Sequence, residues 1–288
     1  MSKKIVTMVT SLALGGTLLL ATGFVNAAQI SGYDAYKSAI VNTKNLKSET
    51  ANMKVSVTDG NTNLVDLSSN VKLNLNSNAM SSVITTTKGA TSQSSNMYLQ
   101  DGKSISKDSN SAEYLVRTND LNPNKMNKVQ NPTVEKSMEV VVDTLVGNMN
   151  NNVTTTSNTD GTKNIAINLK ENEVTPLVGA LTQIAFIQGT KTKNISDSSK
   201  AESDGLKNVL PQLQSEIKVE SVNSTGNISK DNIITNQTAK IVIVGKDAQG
   251  KQHEITFNID MNLSNINNTT PDKVDLTGKQ IKEITSRY

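Results

Sequence analysis

The chain of 288 residues contains no cysteine and no tryptophan, and it has a single histidine. Without cysteine it has no thiol nucleophile, no disulfide and no thiolate ligand for zinc. His253 alone suggests neither a catalytic triad nor a metal cluster, because both need further partners at defined places. We therefore interpret His253 as a solvated residue at the start of a strand. We predict that the protein is not an enzyme and uses no cofactor or metal.

Aromatic residues make up only 3% of the chain. This scarcity argues against a carbohydrate-binding platform of stacked rings, and it implies a core built from Val, Ile, Leu and Met. Basic residues do not cluster, so we predict no nucleic-acid partner. No glycine-rich phosphate loop of the P-loop type occurs in the chain.

The amino terminus has the pattern of a bacterial signal peptide. Lys3 and Lys4 precede an apolar stretch over residues 5–21, and small residues at Val25 and Ala27 predict cleavage before Ala28. The stretch is interrupted by Thr, Ser and Gly residues, which argues against a membrane span of about 20 apolar residues. Removal of residues 1–27 lowers the formal net charge from +3 to +1. We expect an extracytoplasmic protein, secreted or associated with the cell envelope, with no transmembrane or lipid anchor.

Most of the remaining chain alternates between apolar and polar residues, which is typical of antiparallel strands with one solvated face. Turn sequences rich in Asp, Asn and Gly separate the strands. They fit hairpins better than calcium loops, because none has the full set of acidic positions of an EF-hand. The predicted strands are 53–57, 64–75, 80–87, 97–105, 113–117, 153–157, 165–169, 217–222, 233–244 and 252–263.

Helical spacing interrupts this pattern in four places. The predicted helices are 31–45, 131–149, 173–188 and a short one at 206–214. The predicted fold class is therefore α+β, with a large curved, half-barrel-like antiparallel sheet and helices packed on one face. Residues 28–288 are predicted to form a single domain, and a subdivision near 118–131 is the alternative.

The order of elements, together with the segments 241–251 and 274–279, resembles the extracytoplasmic lipid and lipoprotein carriers of the LolA/LppX type. It is also similar to uncharacterised secreted proteins of Gram-positive spore-formers. The resemblance implies a curved half-barrel sheet closed by helices over an apolar cavity that holds acyl chains. The family has no catalytic residues to carry over.

The apolar helix at 173–188 has two interpretations, since it either fills the core or lines a cavity for a ligand. We predict a non-enzymatic binding protein for a lipid or another acyl-bearing ligand. The alternative is a structural or interaction module of the cell envelope, with a filled core and an envelope protein as its partner. The predicted ligand-binding residues are Met138, Val142, Leu145, Leu177, Leu181, Ile184 and Phe186.

Overall fold

The computed structural model describes residues 32–118, 152–174 and 209–284. Within these ranges the chain forms a helix, α1 (Gly32–Lys44), and short 3-10 helices at Leu75–Ser77 and Glu171–Glu173. The strands are β1 (Ser48–Asp59), β2 (Thr62–Asn74), β3 (Ala79–Lys88), β4 (Thr91–Gln100), β5 (Lys103–Asp108), β6 (Tyr114–Thr118), β7 (Val153–Ser157), β8 (Lys163–Lys170), β9 (Ser215–Ile228), β10 (Ile234–Lys246), β11 (Gln252–Ser264) and β12 (Ile281–Glu283).

All of these strands belong to a 12-stranded sheet in the order β12-β6-β5-β4-β3-β2-β1-β11-β10-β9-β8-β7. Neighbouring strands are antiparallel, except that β12 pairs parallel to β6. β1 and β11 meet in the middle and pair from Thr50 with Ser264 to Asp59 with Ile255. The sheet therefore joins the amino-terminal hairpins to the carboxyl-terminal hairpins through one central pair.

The fold is mostly β, and the predicted α+β class with several helices packed on one face is wrong. In the described ranges only α1 is an α-helix, whereas strands make up most of the rest. The predicted helix at 206–214 is not formed over its described part, 209–214. Pro211 explains this, because proline lacks the amide donor and disfavours helical backbone at the residue before it.

The other two predicted helices fall on residues that the structure does not describe. The helix at 131–149 lies wholly outside the described ranges, and so does that at 173–188 apart from its first two residues. Glu173 ends the second 3-10 helix, and Val174 is extended with φ −73° and ψ 119°. An α-helix therefore does not begin at Glu173.

The predicted helix at 31–45 is confirmed as α1. Asp34 lies in its first turn and Lys44 in its last, which suits the helix dipole at both ends. Tyr33, Tyr36 and Ile40 are buried against the sheet, in a cluster that includes side chains of β7 to β11. No helix in the described ranges is long and apolar enough to cross a membrane.

The two faces of the sheet differ in composition, because successive side chains of a strand point to opposite sides. In β1 the residues Met53, Val55 and Val57 are buried, whereas Lys54 and Ser56 alternate with them. We call the side that carries Met53 the apolar face and the side that carries Lys54 the polar face. Paired residues on neighbouring strands share a face, so the register assigns every strand residue to one of them.

A segment after β11 crosses the polar face. We call residues 265–280 the C-terminal strap. The amide of Thr269 donates to Ser48 Oγ at 3.0 Å, and its hydroxyl oxygen lies 3.0 Å from Thr50 Oγ1. Thr269 is 2% exposed, so these bonds at the start of β1 are shielded from water.

Further along the strap, Asp272 and Val274 continue the attachment. Lys72 Nζ donates to the carboxylate of Asp272 at 2.7 Å, and the Asp272 amide donates to Ser81 Oγ at 2.9 Å. The amide of Val274 donates to Gln100 Oε1, and its carbonyl accepts from Gln100 Nε2. The strap thus binds β1, β2, β3 and β4 in turn before β12 pairs with β6.

Candidate functional site

The apolar face is filled to different extents in its two halves. From β7 to β11 and in β1 its side chains form two buried clusters, one under α1 and one that includes Leu213. From β2 to β6 the larger apolar side chains of this face are mostly half-buried. Half-buried apolar groups in adjacent strands leave apolar area that a further apolar surface can cover.

Six of these side chains form two rows that run across the strands. The register aligns Leu73 with Met80 and Met80 with Leu99, and it aligns Val71, Met97 and Leu115 in the neighbouring row. All six are half-buried. We call this set the transverse strip; its members are Val71, Leu73, Met80, Met97, Leu99 and Leu115.

Serines separate the larger side chains of the second row. Ser82 lies between Val71 and Met97, and Ser106 lies between Met97 and Leu115. The two serines are only 4% and 9% exposed, so the floor of the row is shielded, whereas the larger side chains are half-buried. With strands about 4.8 Å apart, β1 to β6 span about 24 Å. This geometry suits an extended hydrocarbon chain lying across the strands.

In the described ranges, three buried side-chain oxygens have no hydrogen-bond partner, and all three belong to residues of the apolar face. They are Glu49 Oε2, Ser69 Oγ and Gln237 Oε1. The register places Glu49 opposite Leu73, Ser69 opposite Met53 and Gln237 opposite Met261. Unpartnered buried polar groups are rare in native proteins, and ligand sites combine an apolar lining with a few such groups.

Glu49 is the charged member of this set. It stands in the first row of the strip, beside Leu73, and β11 pairs with β1 only from Thr50 onward, so the row ends at Glu49. Burial raises the pKa of Glu49 to about 7. The cause is desolvation, which disfavours the charged form of a carboxyl group. A carboxyl group in this state is available to a partner.

Gln237 holds α1 to the apolar face. Its side-chain amide donates to the hydroxyl of Tyr36 at 2.6 Å and to Ser224 Oγ at 3.0 Å. Burial raises the pKa of Tyr36 to about 12, and the hydrogen bond from Gln237 offsets part of this effect. The side chain of Gln237 therefore holds α1 on the sheet, whereas Glu49 has no such contact with a described residue.

The C-terminal strap lies directly behind the transverse strip. On the polar face the register aligns Thr50, Lys72, Ser81 and Tyr98 in one row, and the strap contacts the first three of these. This row lies between the two rows of the strip, on the other side of the sheet. Burial, then the charges of Tyr114 and Asp272, raise the pKa of Tyr98. The strap therefore supports the strands that carry the strip.

His253 is buried, and its interpretation as a solvated residue is wrong. Its side chain is 8% exposed and lies between two carboxylates, with Nδ1 2.7 Å from Asp59 Oδ2 and Nε2 3.2 Å from Asp247 Oδ2. Asp59 ends β1, and Asp247 begins the turn between β10 and β11. The two carboxylates approach opposite edges of the ring, so one ion cannot be shared by all three groups. No group of His, Asp and Glu side chains in the described ranges has the arrangement of a metal site.

Two open grooves lie on the polar face. One has a volume of about 380 Å³ and is lined by residues that include Lys54, Asp66 and Asp260. The other, of about 340 Å³, is lined mainly by Thr and Asn side chains of β7 to β10. Both are open to solvent and lie on the side of the sheet opposite the transverse strip.

The binding residues that the sequence predicts all lie outside the described ranges, in segments 119–151 and 175–208. Their arrangement therefore stays a prediction. Prediction from the sequence missed Glu49, although a signal was present. Ala51, Met53, Val55 and Val57 occupy every second position of β1, and Glu49 continues the same alternation. A carboxylate at an apolar position of a strand indicates a group that needs a partner.

No protein-family model and no curated protein matches the chain. Among solved structures, one match is a β-barrel-like protein with a domain of unknown function, DUF1849, from Brucella abortus. The match covers 76% of this chain and 99% of that protein, with 8% sequence identity and a TM-score of 0.18. A similarity of this size supports no inference about function.

Proposed function

We propose that the protein is a non-enzymatic binding protein that holds the acyl chain of a lipid on the transverse strip. The observation that carries this proposal is the strip itself, with six half-buried apolar side chains in two adjacent rows. Each methylene group removed from water contributes about 0.8 kcal/mol, so an acyl chain can bind without a polar site. The resemblance to LolA/LppX carriers implies the same class of ligand.

The strip differs from the rest of the apolar face in a way that favours a ligand. Under α1 the same face is closed by the chain's own side chains, with Tyr36 and Ile40 each 1% exposed. On the strip, Leu and Met side chains with many rotamers stand beside short serines. Such a surface can adapt to a flexible hydrocarbon chain, because methionine is unbranched and polarizable.

The test is calorimetric titration of the full chain with dodecanol, an uncharged ligand with a single acyl-like tail. We expect saturable binding to the wild type. Met97→Gln keeps the size of a central strip residue but makes it polar, and we expect it to weaken binding by roughly tenfold. The matched control is Asn96→Gln, because Asn96 is the neighbouring residue of β4 and lies on the polar face. We expect it to bind like the wild type.

Absence of dodecanol binding by the folded wild type would contradict the proposal. It would favour the structural alternative, in which the whole interior is filled by the chain itself. Equal weakening by Met97→Gln and Asn96→Gln would also count against the strip as the binding surface. Circular dichroism of each variant establishes that a loss of binding is not a loss of folding.

A further inference from the structure

Glu49 stands out among the carboxyl groups of the described ranges because one of its oxygens is buried without a hydrogen-bond partner. It makes no hydrogen bond or ion pair with any described residue, and Oε2 is shielded from solvent. Isolated buried carboxylates are unfavourable, and proteins normally pair them or solvate them. A shielded carboxylate oxygen that has no hydrogen-bond partner is a group to which a ligand can donate.

The position of Glu49 indicates where that partner lies. It is directly opposite Leu73, and Leu73 is followed in the same row by Met80 and Leu99. A hydrocarbon chain on the strip therefore has one end next to this carboxyl group. The arrangement of one polar group at the end of an apolar surface is typical of sites that fix the orientation of an amphiphile.

We propose that Glu49 binds the ammonium group of an amphiphile whose hydrocarbon tail lies on the transverse strip, an inference that rests on the proposed function. An ammonium group offers three donors and a positive charge to a carboxylate that lacks both. A hydroxyl group offers one donor and no charge, and a carboxylate head group is repelled. Desolvation at Glu49, which raises its pKa to about 7, also strengthens the attraction to a cation.

Three ligands of the same chain length test the inference: dodecylamine, dodecanol and dodecanoate, titrated into the full chain below the concentrations at which they form micelles. At pH 8 an alkylammonium is charged, as lysine is, and Glu49 is mostly ionised. We expect dodecylamine to bind the wild type roughly tenfold or more tightly than dodecanol. We expect dodecanoate to bind no more tightly than dodecanol.

Glu49→Gln keeps the shape of the side chain and removes its charge. We expect it to abolish the advantage of dodecylamine while dodecanol binds as it does to the wild type. The matched control is Glu220→Gln, which removes an exposed carboxylate of β9. We expect this control to retain the preference for the amine.

The outcomes separate this inference from the proposed function. If dodecanol binds but dodecylamine has no advantage, or if Glu49→Gln retains the advantage, the role of Glu49 is wrong and the acyl-binding strip stands. Tighter binding of dodecanoate than of dodecylamine would likewise overturn the choice of an ammonium ligand. If none of the three ligands binds the folded wild type, the proposed function itself is wrong.

Discussion

His253 links three parts of the chain through two hydrogen bonds. Asp59 lies 194 residues before it, at the end of β1, and Asp247 lies six residues before it. Asp247 also accepts from the amides of Gln249 and Lys251, which fix the turn between β10 and β11. The imidazole ring therefore joins the turn to the end of the central strand.

The charges around the ring make this link dependent on pH. Burial acts to lower the pKa of His253, but the hydrogen bonds to Asp59 and Asp247 outweigh it and raise the pKa above 6.5, while Lys251 opposes them weakly. The hydrogen bond from His253 is the largest cause that lowers the pKa of Asp247 below 3.8. The protonated histidine stabilises the fold fully below pH 6.5, the pKa of an ordinary histidine. This stabilisation is lost as the pH rises through the higher pKa of His253 in the folded protein. The ionised carboxylate of Asp247 stabilises the fold above pH 3.8, the pKa of an ordinary aspartate. This stabilisation is lost as the pH falls through the lower pKa of Asp247 in the folded protein.

We predict that His253→Gln lowers the free energy of unfolding by about 2 kcal/mol at pH 5.5, because hydrogen bonds to charged groups are worth about 1.5–3 kcal/mol. At pH 9, further above 6.5, more of the wild-type population has a neutral ring that donates to only one carboxylate, so the loss is smaller. Urea denaturation at the two pH values measures the difference. Glu254→Gln, a change at the exposed neighbouring residue, is the control and leaves stability unchanged at both values. An equal loss for His253→Gln at both pH values would show that the ring acts only by packing.

The local sequence around His253 could not reveal this arrangement. Gln252 and Glu254 are exposed strand residues, and they made a solvated histidine the natural interpretation. The burial of the ring depends on Asp59, which is brought close only when β1 pairs with β11. Glu49 is the opposite case. Its place in the alternation of β1 was visible in the sequence, although its lack of a partner was not.

At the scale of elements, the C-terminal strap is the feature with the clearest energetic role. Its buried attachment is Thr269, whose hydroxyl group lies 3.0 Å from Thr50 Oγ1 and donates to the carbonyl of Asn265 at 2.9 Å. Asp272 forms the exposed attachment, and an exposed ion pair contributes little. Thr269 should therefore contribute more to holding the strap than the charged contact does.

We predict that Thr269→Val lowers the free energy of unfolding by about 1–2 kcal/mol, because it removes one buried hydroxyl group and leaves Thr50 without its partner. The hydrogen bonds between the backbone of residue 269 and the hydroxyl group of Ser48 remain in the variant. Urea denaturation measures the change, and Thr270→Val is the matched control, since Thr270 is exposed. We expect the control to change stability by less than about 0.5 kcal/mol. A similar loss in both variants would mean that the effect does not come from the buried hydroxyl group of Thr269.

The hairpins were predictable from the sequence, and the strap was not. Alternation at Met53, Val55 and Val57, followed by the turn at Asp59 and Gly60, locates β1 closely because period and turn chemistry are both local signals. The paired strands 233–244 and 252–263 also agree closely with β10 and β11. The strap has no regular alternation of apolar and polar residues, and its contacts with Ser48 and Ser81 join segments that are far apart in the sequence. Only the folded chain shows them.

At the scale of the whole molecule, the fold class was wrong because helical spacing was given too much weight. Residues 209–214 contain apolar side chains at helical intervals, yet Pro211 prevents a helix and Leu213 is buried against the sheet instead. Strand order was also beyond the sequence. β1 pairs with β11, so the two groups of hairpins share one sheet, and no local signal specifies a contact between segments some 200 residues apart.

The described fold bears on the predicted export of the chain, because its first element begins just after the predicted cleavage site. α1 starts at Gly32, and this residue is fixed against β7, since a Cβ atom there would lie 2.6 Å from the carbonyl oxygen of Val153. Cleavage before Ala28 leaves α1 and the whole described sheet intact. Export therefore requires no part of the described fold to be removed.

We predict that the full chain, expressed in a bacterial host, is recovered outside the cytoplasm with Ala28 as its first residue. Intact-mass measurement and amino-terminal sequencing of the recovered protein test this. Ala27→Asp places a charged side chain at the −1 position, where a small residue is needed, and should cause the uncleaved chain to accumulate. Asn26→Gln alters the −2 position, which carries no such requirement, and should be processed normally. Recovery of the wild type in the cytoplasm with residues 1–27 attached would contradict the predicted export of this protein.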